Sequence, residues 1–343
     1  MVDKGASMII DKEKYPWAEH VSPNDRIGAV CTYDPMEYLP LFEEKHFETG
    51  DDRIGTLRYF FYDPTKHGYS ADGKYPLLLA LHGAHGGMQD RVAIDWAAAA
   101  RYASPDYQER LGGMFIVCPL AKESIDAEGR LQMSWPTSDD PGTLDVYSEK
   151  QREMIEKALV NEPHRMMRLG TDSIYSESLR ALLKQVQADY EAVDPAKTVL
   201  FGTSAGGYMA WRLLINHPED YALGCVMAGA YLPAECELRK IEAAGTRVLV
   251  CHAWYDELVH WPLFIAPNLD LYEKLPNIDT YFPEFARNGA KEIIDNPGRS
   301  GQQGQHCINN CIHQNLIYDD GTLYDERFPE GMTGYINRIL QGK

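Results

Sequence analysis

From residue 57 onward, apolar positions cluster in short continuous runs separated by amphipathic stretches. Leu57–Tyr62 is rich in aromatics, and Tyr75–Leu81 (YPLLLAL) and Met114–Pro119 (MFIVCP) are apolar almost throughout. Thr198–Phe201, Leu223–Ala228 and Arg247–His252 repeat the pattern. Runs of this length predict strands, and apolarity at consecutive positions predicts burial on both faces. Helical spacing is clearest in Ser176–Ala192, where Leu179, Leu182, Leu183, Val186 and Tyr190 share one side. Ile94–Tyr102, Ala205–Asn216, Ala234–Ala243 and Pro329–Leu340 also predict helices. Strands alternating with helices predict an α/β fold, a mostly parallel sheet covered on each face.

Two regions depart from this rhythm. Residues 1–50 read as an irregular acidic arm with Pro16, Pro23, Pro35 and Pro40, ahead of a single domain over 51–343. Residues 122–172 hold a polar loop with Trp135, Pro136 and Pro141, then a charged helix at Tyr147–Leu159. A strand-to-helix connection usually takes about 2–6 residues. The extra chain follows the carboxyl end of the 114–119 strand, so a lid-like insertion over that face is expected.

Composition narrows the function classes. At 343 residues with a formal net charge of −18, the chain repels phosphate backbones and anionic lipid, which argues against nucleic-acid and membrane partners. Met8–Ile10 is too short for the core of a leader, and no apolar run has the length of a membrane span. Seven cysteines, several inside strand-like runs, read as reduced thiols in a cytoplasmic protein. Homo-oligomerisation stays open.

The chemistry concentrates at turns. Gly202-Thr203-Ser204-Ala205-Gly206 lies between a predicted strand and a predicted helix. A serine in a tight strand-to-helix turn has its hydroxyl exposed at the carboxyl end of the sheet, and flanking glycines let the two elements approach. Ser204 is thus the candidate nucleophile, and the Ala205 amide, at the helix N-terminus, a candidate oxyanion donor. Leu81-His82-Gly83-Ala84-His85-Gly86-Gly87 follows the apolar strand YPLLLAL. It offers Ala84 as a second oxyanion amide.

LHGAHGG, GTSAGG and a late Asp and His together resemble the α/β-hydrolase superfamily over about residues 54–340. The resemblance is nearest to esterases related to polyhydroxyalkanoate depolymerases and feruloyl esterases, and next to prolyl-oligopeptidase-like hydrolases. It implies an α/β-hydrolase fold with a sheet of eight strands, a Ser–Asp–His triad and no cofactor.

In this fold the acid and then the histidine follow the serine. Asp256 lies just past the 247–252 strand, with Val259 three residues on as the resemblance implies; Glu257 is the adjacent competitor. Among the late histidines His306 leads, because the resemblance implies a Gly or small residue close before the histidine and the run Gly301-Gln302-Gln303-Gly304 precedes it; His313 is its rival. By residue type His306, Cys307, Cys311 and His313 could ligate zinc, but they lack a C-x-x-C pair. The expectation is therefore no metal.

The reading that results is a serine esterase acting on a small-molecule carboxylic ester. Trp135, Trp254 and Trp261 are expected to shape a pocket for an aromatic or bulky group. A peptidase or amidase, an acyltransferase, and a binding protein on a hydrolase scaffold are the alternatives. The last should have lost a triad member, and all three are present in order.

Overall fold

The computed structural model describes residues 37–160, 169–294 and 304–342. The first 36 residues of the arm, 161–168 of the insertion and 301–303 of the run before His306 lie outside it.

Eight strands form one sheet in the order β1-β2-β4-β3-β7-β8-β9-β10. They are β1 Glu43–Glu48, β2 Thr56–Tyr62, β3 Tyr75–Leu81, β4 Phe115–Pro119, β7 Val193–Thr203, β8 Leu223–Met227, β9 Arg247–Cys251 and β10 Ile278–Tyr281. Strands β5 (Ser124–Ile125) and β6 (Leu131–Gln132) make a separate hairpin. β2 runs antiparallel to both β1 and β4, and every other pair in the large sheet is parallel. The main helices are α1 Val92–Trp96, α2 Pro105–Leu111, α3 Glu149–Leu159, α4 Ser176–Asp189, α5 Ala205–Asn216 and α6 Glu235–Ala244. Later come α7 Trp261–Phe264, α8 Leu269–Lys274, α9 Asn309–His313 and α10 Gly331–Leu340.

The two-sided burial read from YPLLLAL has a direct structural form. Leu77, Leu79 and Leu81 enter one hydrophobic core, while Leu78 and Ala80 enter the other on the opposite face. The same alternation divides Val248 and Val250 from Leu249 and Cys251 in β9. Successive strand side chains point to opposite faces, so a strand between two helical layers must be apolar at every position.

The structure departs from the sequence expectations in four places. The end of the arm is not irregular: Glu43–Glu48 is an edge strand, mostly exposed, paired only to β2. A strand with one neighbour and a solvated face carries no apolar run to betray it. At the opposite edge β10 (IDTY) is short, with two partly buried polar residues between buried Ile278 and Tyr281, and it too carries no apolar run. The alanine-rich helix over 94–102 is broken, because Ala98 takes φ 58° and a 3₁₀ turn follows at Ala100–Ala103. β7 starts five residues earlier than expected, with a register shift against β3.

Helix α3 begins with a capping box in which Ser148 and Gln151 bond each other's main chain and side chain. Gln151 Nε2 donates to Asn268 Oδ1 at 2.6 Å, and Tyr147 donates its hydroxyl proton to the Leu232 carbonyl at 2.7 Å. The second half of the insertion thereby packs on the segments that follow β8 and β9, at the carboxyl edge of the sheet.

Candidate active site

Ser204 is the last residue before α5, immediately after β7. Its backbone sits at φ 57°, ψ −115°, a region that non-glycine residues occupy only under constraint. Three main-chain bonds supply that constraint. Ser204 N–H donates to the Met227 carbonyl at 2.9 Å, and the Ser204 carbonyl accepts from Tyr208 and Ala230. From Thr198 to Ile215 every residue but Ser204 is buried, so the turn lifts one side chain out of a closed interior. The turn requires its glycines: a methyl on Gly202 would lie 2.3 Å from the Gly206 carbonyl, and one on Gly206 2.2 Å from the Leu81 carbonyl.

The turn after β3 comes close to the serine. A methyl on Gly83 would lie 3.4 Å from Ser204 Cβ and 4.0 Å from its Oγ. Ala84 follows, half-buried. Ala205 opens α5, so its amide is one of the first-turn donors that intrahelical bonding leaves unused.

Asp256, in the turn after β9, is wholly buried. Its Oδ1 accepts from the amides of Leu258 and Val259 at 2.9 and 2.8 Å. Both carboxylate oxygens stand 2.9 Å from His306 Nδ1. An ionised carboxylate only accepts, so Nδ1 carries the proton and Nε2 is the basic nitrogen. Burial pushes the Asp256 carboxyl up, but His306, His252 and the Val259 amide outweigh it and hold it below its ordinary value.

The fold around this edge has solved counterparts. No protein-family model matches the chain, and no curated protein matches it. Among solved structures, a thermostable esterase aligns over 88% of the chain with a TM-score of 0.54 at 17% identity.

The chain has the α/β-hydrolase fold.

It spans 64% of the length of that esterase. The BES protein from Bacillus cereus (TM-score 0.45, 14% identity, 72% of this chain and 90% of that one) is a weaker match. Pyrococcus horikoshii acylaminoacyl peptidase is another (TM-score 0.47, 13% identity, 90% of this chain and 43% of that one).

Within this α/β-hydrolase fold the candidate residues find different places. Glu257 does not compete with Asp256 for the imidazole. Its two oxygens accept the main-chain N–H groups of Gln305 and His306 at 2.9 and 3.0 Å. His313 lies apart from Asp256: it is buried and its Nε2 donates to the Asp95 carbonyl at 2.6 Å. Of the four candidate zinc ligands, His306 is thus held by Asp256 and His313 by the Asp95 carbonyl. Among the described residues, a cluster with ligand atoms within 4.8 Å is His217, Glu219 and Asp220. There Asp220 is already paired with Arg180 and Lys184.

Trp135 requires a correction. It was expected to line a substrate pocket, but it is wholly buried. Its Nε1 donates to the His82 carbonyl at 3.0 Å, and its ring packs 5.0 Å from both the His82 and Tyr175 rings. An indole flanked by prolines and polar residues reads as a loop residue; only tertiary packing shows that it underpins the turn after β3. Trp254 and Trp261 are on the segment that follows β9, where the Trp261 ring packs 6.0 Å from that of His252. Trp254 is 49% exposed and stands 5.7 Å from Trp261, which packs edge-on against Phe282.

Two residues that hold the turn after β3 were missed as such. His82 Nδ1 donates to the Gly83 carbonyl at 2.7 Å, and Nε2 accepts the Ala121 N–H at 3.1 Å. Burial lowers this imidazole to about 4, against the opposing pull of the Gly83 carbonyl. Glu123, also buried, accepts from Gly87 N–H at 2.8 Å and from Ser134 Oγ at 2.5 Å, and burial raises its carboxyl. The start of the insertion is therefore a buttress for the turn rather than a cover.

No disulfide involves the six cysteines among the described residues, and no helix there is long and apolar enough to cross a membrane.

Proposed function

We propose that this chain is a serine hydrolase that cleaves carboxylic esters through an acyl-enzyme. The observation that carries the reading is Ser204, held in a constrained backbone geometry after the carboxyl end of β7 as the one incompletely buried residue of 198–215, together with the buried Asp256–His306 pair.

A serine hydroxyl becomes a competent nucleophile when an imidazole takes its proton. In this reading Ser204 Oγ attacks the ester carbonyl while His306 Nε2 removes the proton. Asp256 fixes the tautomer and stabilises the imidazolium. The amides of Ala84 and Ala205 receive the oxyanion, each worth about 2.7–4 kcal/mol in such sites. His306 then protonates the leaving alcohol, and water activated by the same nitrogen releases the acid. No step calls for a cofactor or metal. Trp254, Trp261 and Phe282 form an aromatic shelf next to the acid, which favours esters with an aromatic or bulky group.

A fluorophosphonate probe tests the assignment. The wild-type chain should be labelled at Ser204 and hydrolyse a small aryl acetate. Ser204→Ala should take no label and lose on the order of 10⁴–10⁶-fold in rate. Hydrolysis retained by the folded Ser204→Ala variant would sink the proposal.

A further inference from the structure

We infer that Glu257 is a positioning residue for His306: its carboxylate holds the main chain that carries the histidine, while the neighbouring Asp256 holds the ring. The inference rests on the serine-hydrolase reading above.

His306 lies between β10, which ends at Tyr281, and α9, which begins at Asn309. Among the described residues of that connection no strand or helix carries it. Its position therefore depends on side chains from elsewhere. Buried N–H groups outside a helix or sheet need such partners in any case. The two consecutive amides of Gln305 and His306 find theirs on one carboxylate, Gln305 on Oε1 and His306 on Oε2. Two bonds from one planar group fix orientation as well as distance, and bonds to a charged acceptor are the stronger kind.

The Gln305 side chain anchors the same point from the other side. Its Oε1 accepts from Ala286 N–H at 2.7 Å, and its Nε2 donates to the Ile294 carbonyl at 2.9 Å. Glu257 is itself buried, next to Asp256 in the turn after β9. Ring and backbone of His306 are thus both referenced to one turn, 256–259. A slip of the histidine segment against that turn would misplace Nε2 for the proton transfer proposed at Ser204. Misplacing a reacting group by about 1 Å can cost about 100-fold in rate.

Glu257→Gln discriminates this role from a purely structural one. A glutamine keeps the volume but has one acceptor oxygen and turns an NH₂ toward the second amide. In the folded variant, kcat for a small aryl acetate and the rate of fluorophosphonate labelling should fall about 10–100-fold, with KM within about twofold. Thermal unfolding is followed in parallel, so that each rate refers to folded molecules. If Glu257→Gln does not fold, Glu257→Asp is read the same way; it keeps two acceptors on a stem shorter by one methylene. A wild-type chain that labels, with variants that label equally fast when folded, overturns the role of Glu257 alone. A wild-type chain that takes no label overturns it together with the serine-hydrolase reading.

Discussion

Replacing Trp135 by phenylalanine should weaken the whole molecule and spare substrate choice. The indole is wholly buried, and its N–H is bonded to the His82 carbonyl at the start of the turn after β3. Phenylalanine removes that donor and leaves the carbonyl unpaired, at about 1–3 kcal/mol. It also removes two buried ring carbons, about 1.6 kcal/mol at 0.8 kcal/mol per buried carbon. Together the loss is about 3–5 kcal/mol, a large part of the roughly 5–15 kcal/mol that typically holds a protein folded. Chemical denaturation of the two proteins side by side measures it. kcat/KM is then compared for a small acetate and a bulky aromatic ester. Both should fall in the same proportion, because the indole reaches substrate only through the turn it supports. Trp254→Ala is the contrasting variant. That ring is half exposed, and its loss should cost about 1–2 kcal/mol on the bulky aromatic ester alone. Unchanged stability in Trp135→Phe, combined with selective loss on the bulky ester, would refute the buttress and restore the pocket.

His306→Ala should abolish turnover in a folded protein. His313→Ala should instead lower the unfolding midpoint, since it empties a buried site bonded to the Asp95 carbonyl, while kcat per folded molecule persists. A dead, stable His313→Ala would reverse the assignment. Stability should also fall as pH drops from 7 to 5. The folded His82 imidazole titrates near 4 against an unfolded value of about 6.5, so between those values the unfolded chain binds more protons. The linkage is worth about 2 kcal/mol by pH 5, and His252 and His313, also lowered by burial, act in the same direction. Denaturation curves that coincide at pH 7 and 5 would contradict a neutral, buried His82.

Periodicity and turn chemistry carried the central sheet and the nucleophile turn, because both are local. Continuous apolar runs such as YPLLLAL are what a strand between two helical layers must look like, and the GTSAG motif between a strand and a helix is read within five residues, although Gly206 also makes room for the distant Leu81 carbonyl. The order Ser204, Asp256, His306 could be read as well, since strand ends are visible as the ends of apolar runs. What the sequence left open are contacts between segments distant in the chain. Adjacent Asp256 and Glu257 are chemically alike, and only folding directs one to the His306 ring and the other to the Gln305 and His306 amides, 48 and 49 residues away. Edge strands β1, largely exposed, and β10, only four residues long, carry no pattern that separates them from loops. Trp135 shows the limit most plainly. An indole in a polar loop serves equally well as pocket wall or core filler, and the choice was made by a carbonyl 53 residues away that needed a donor.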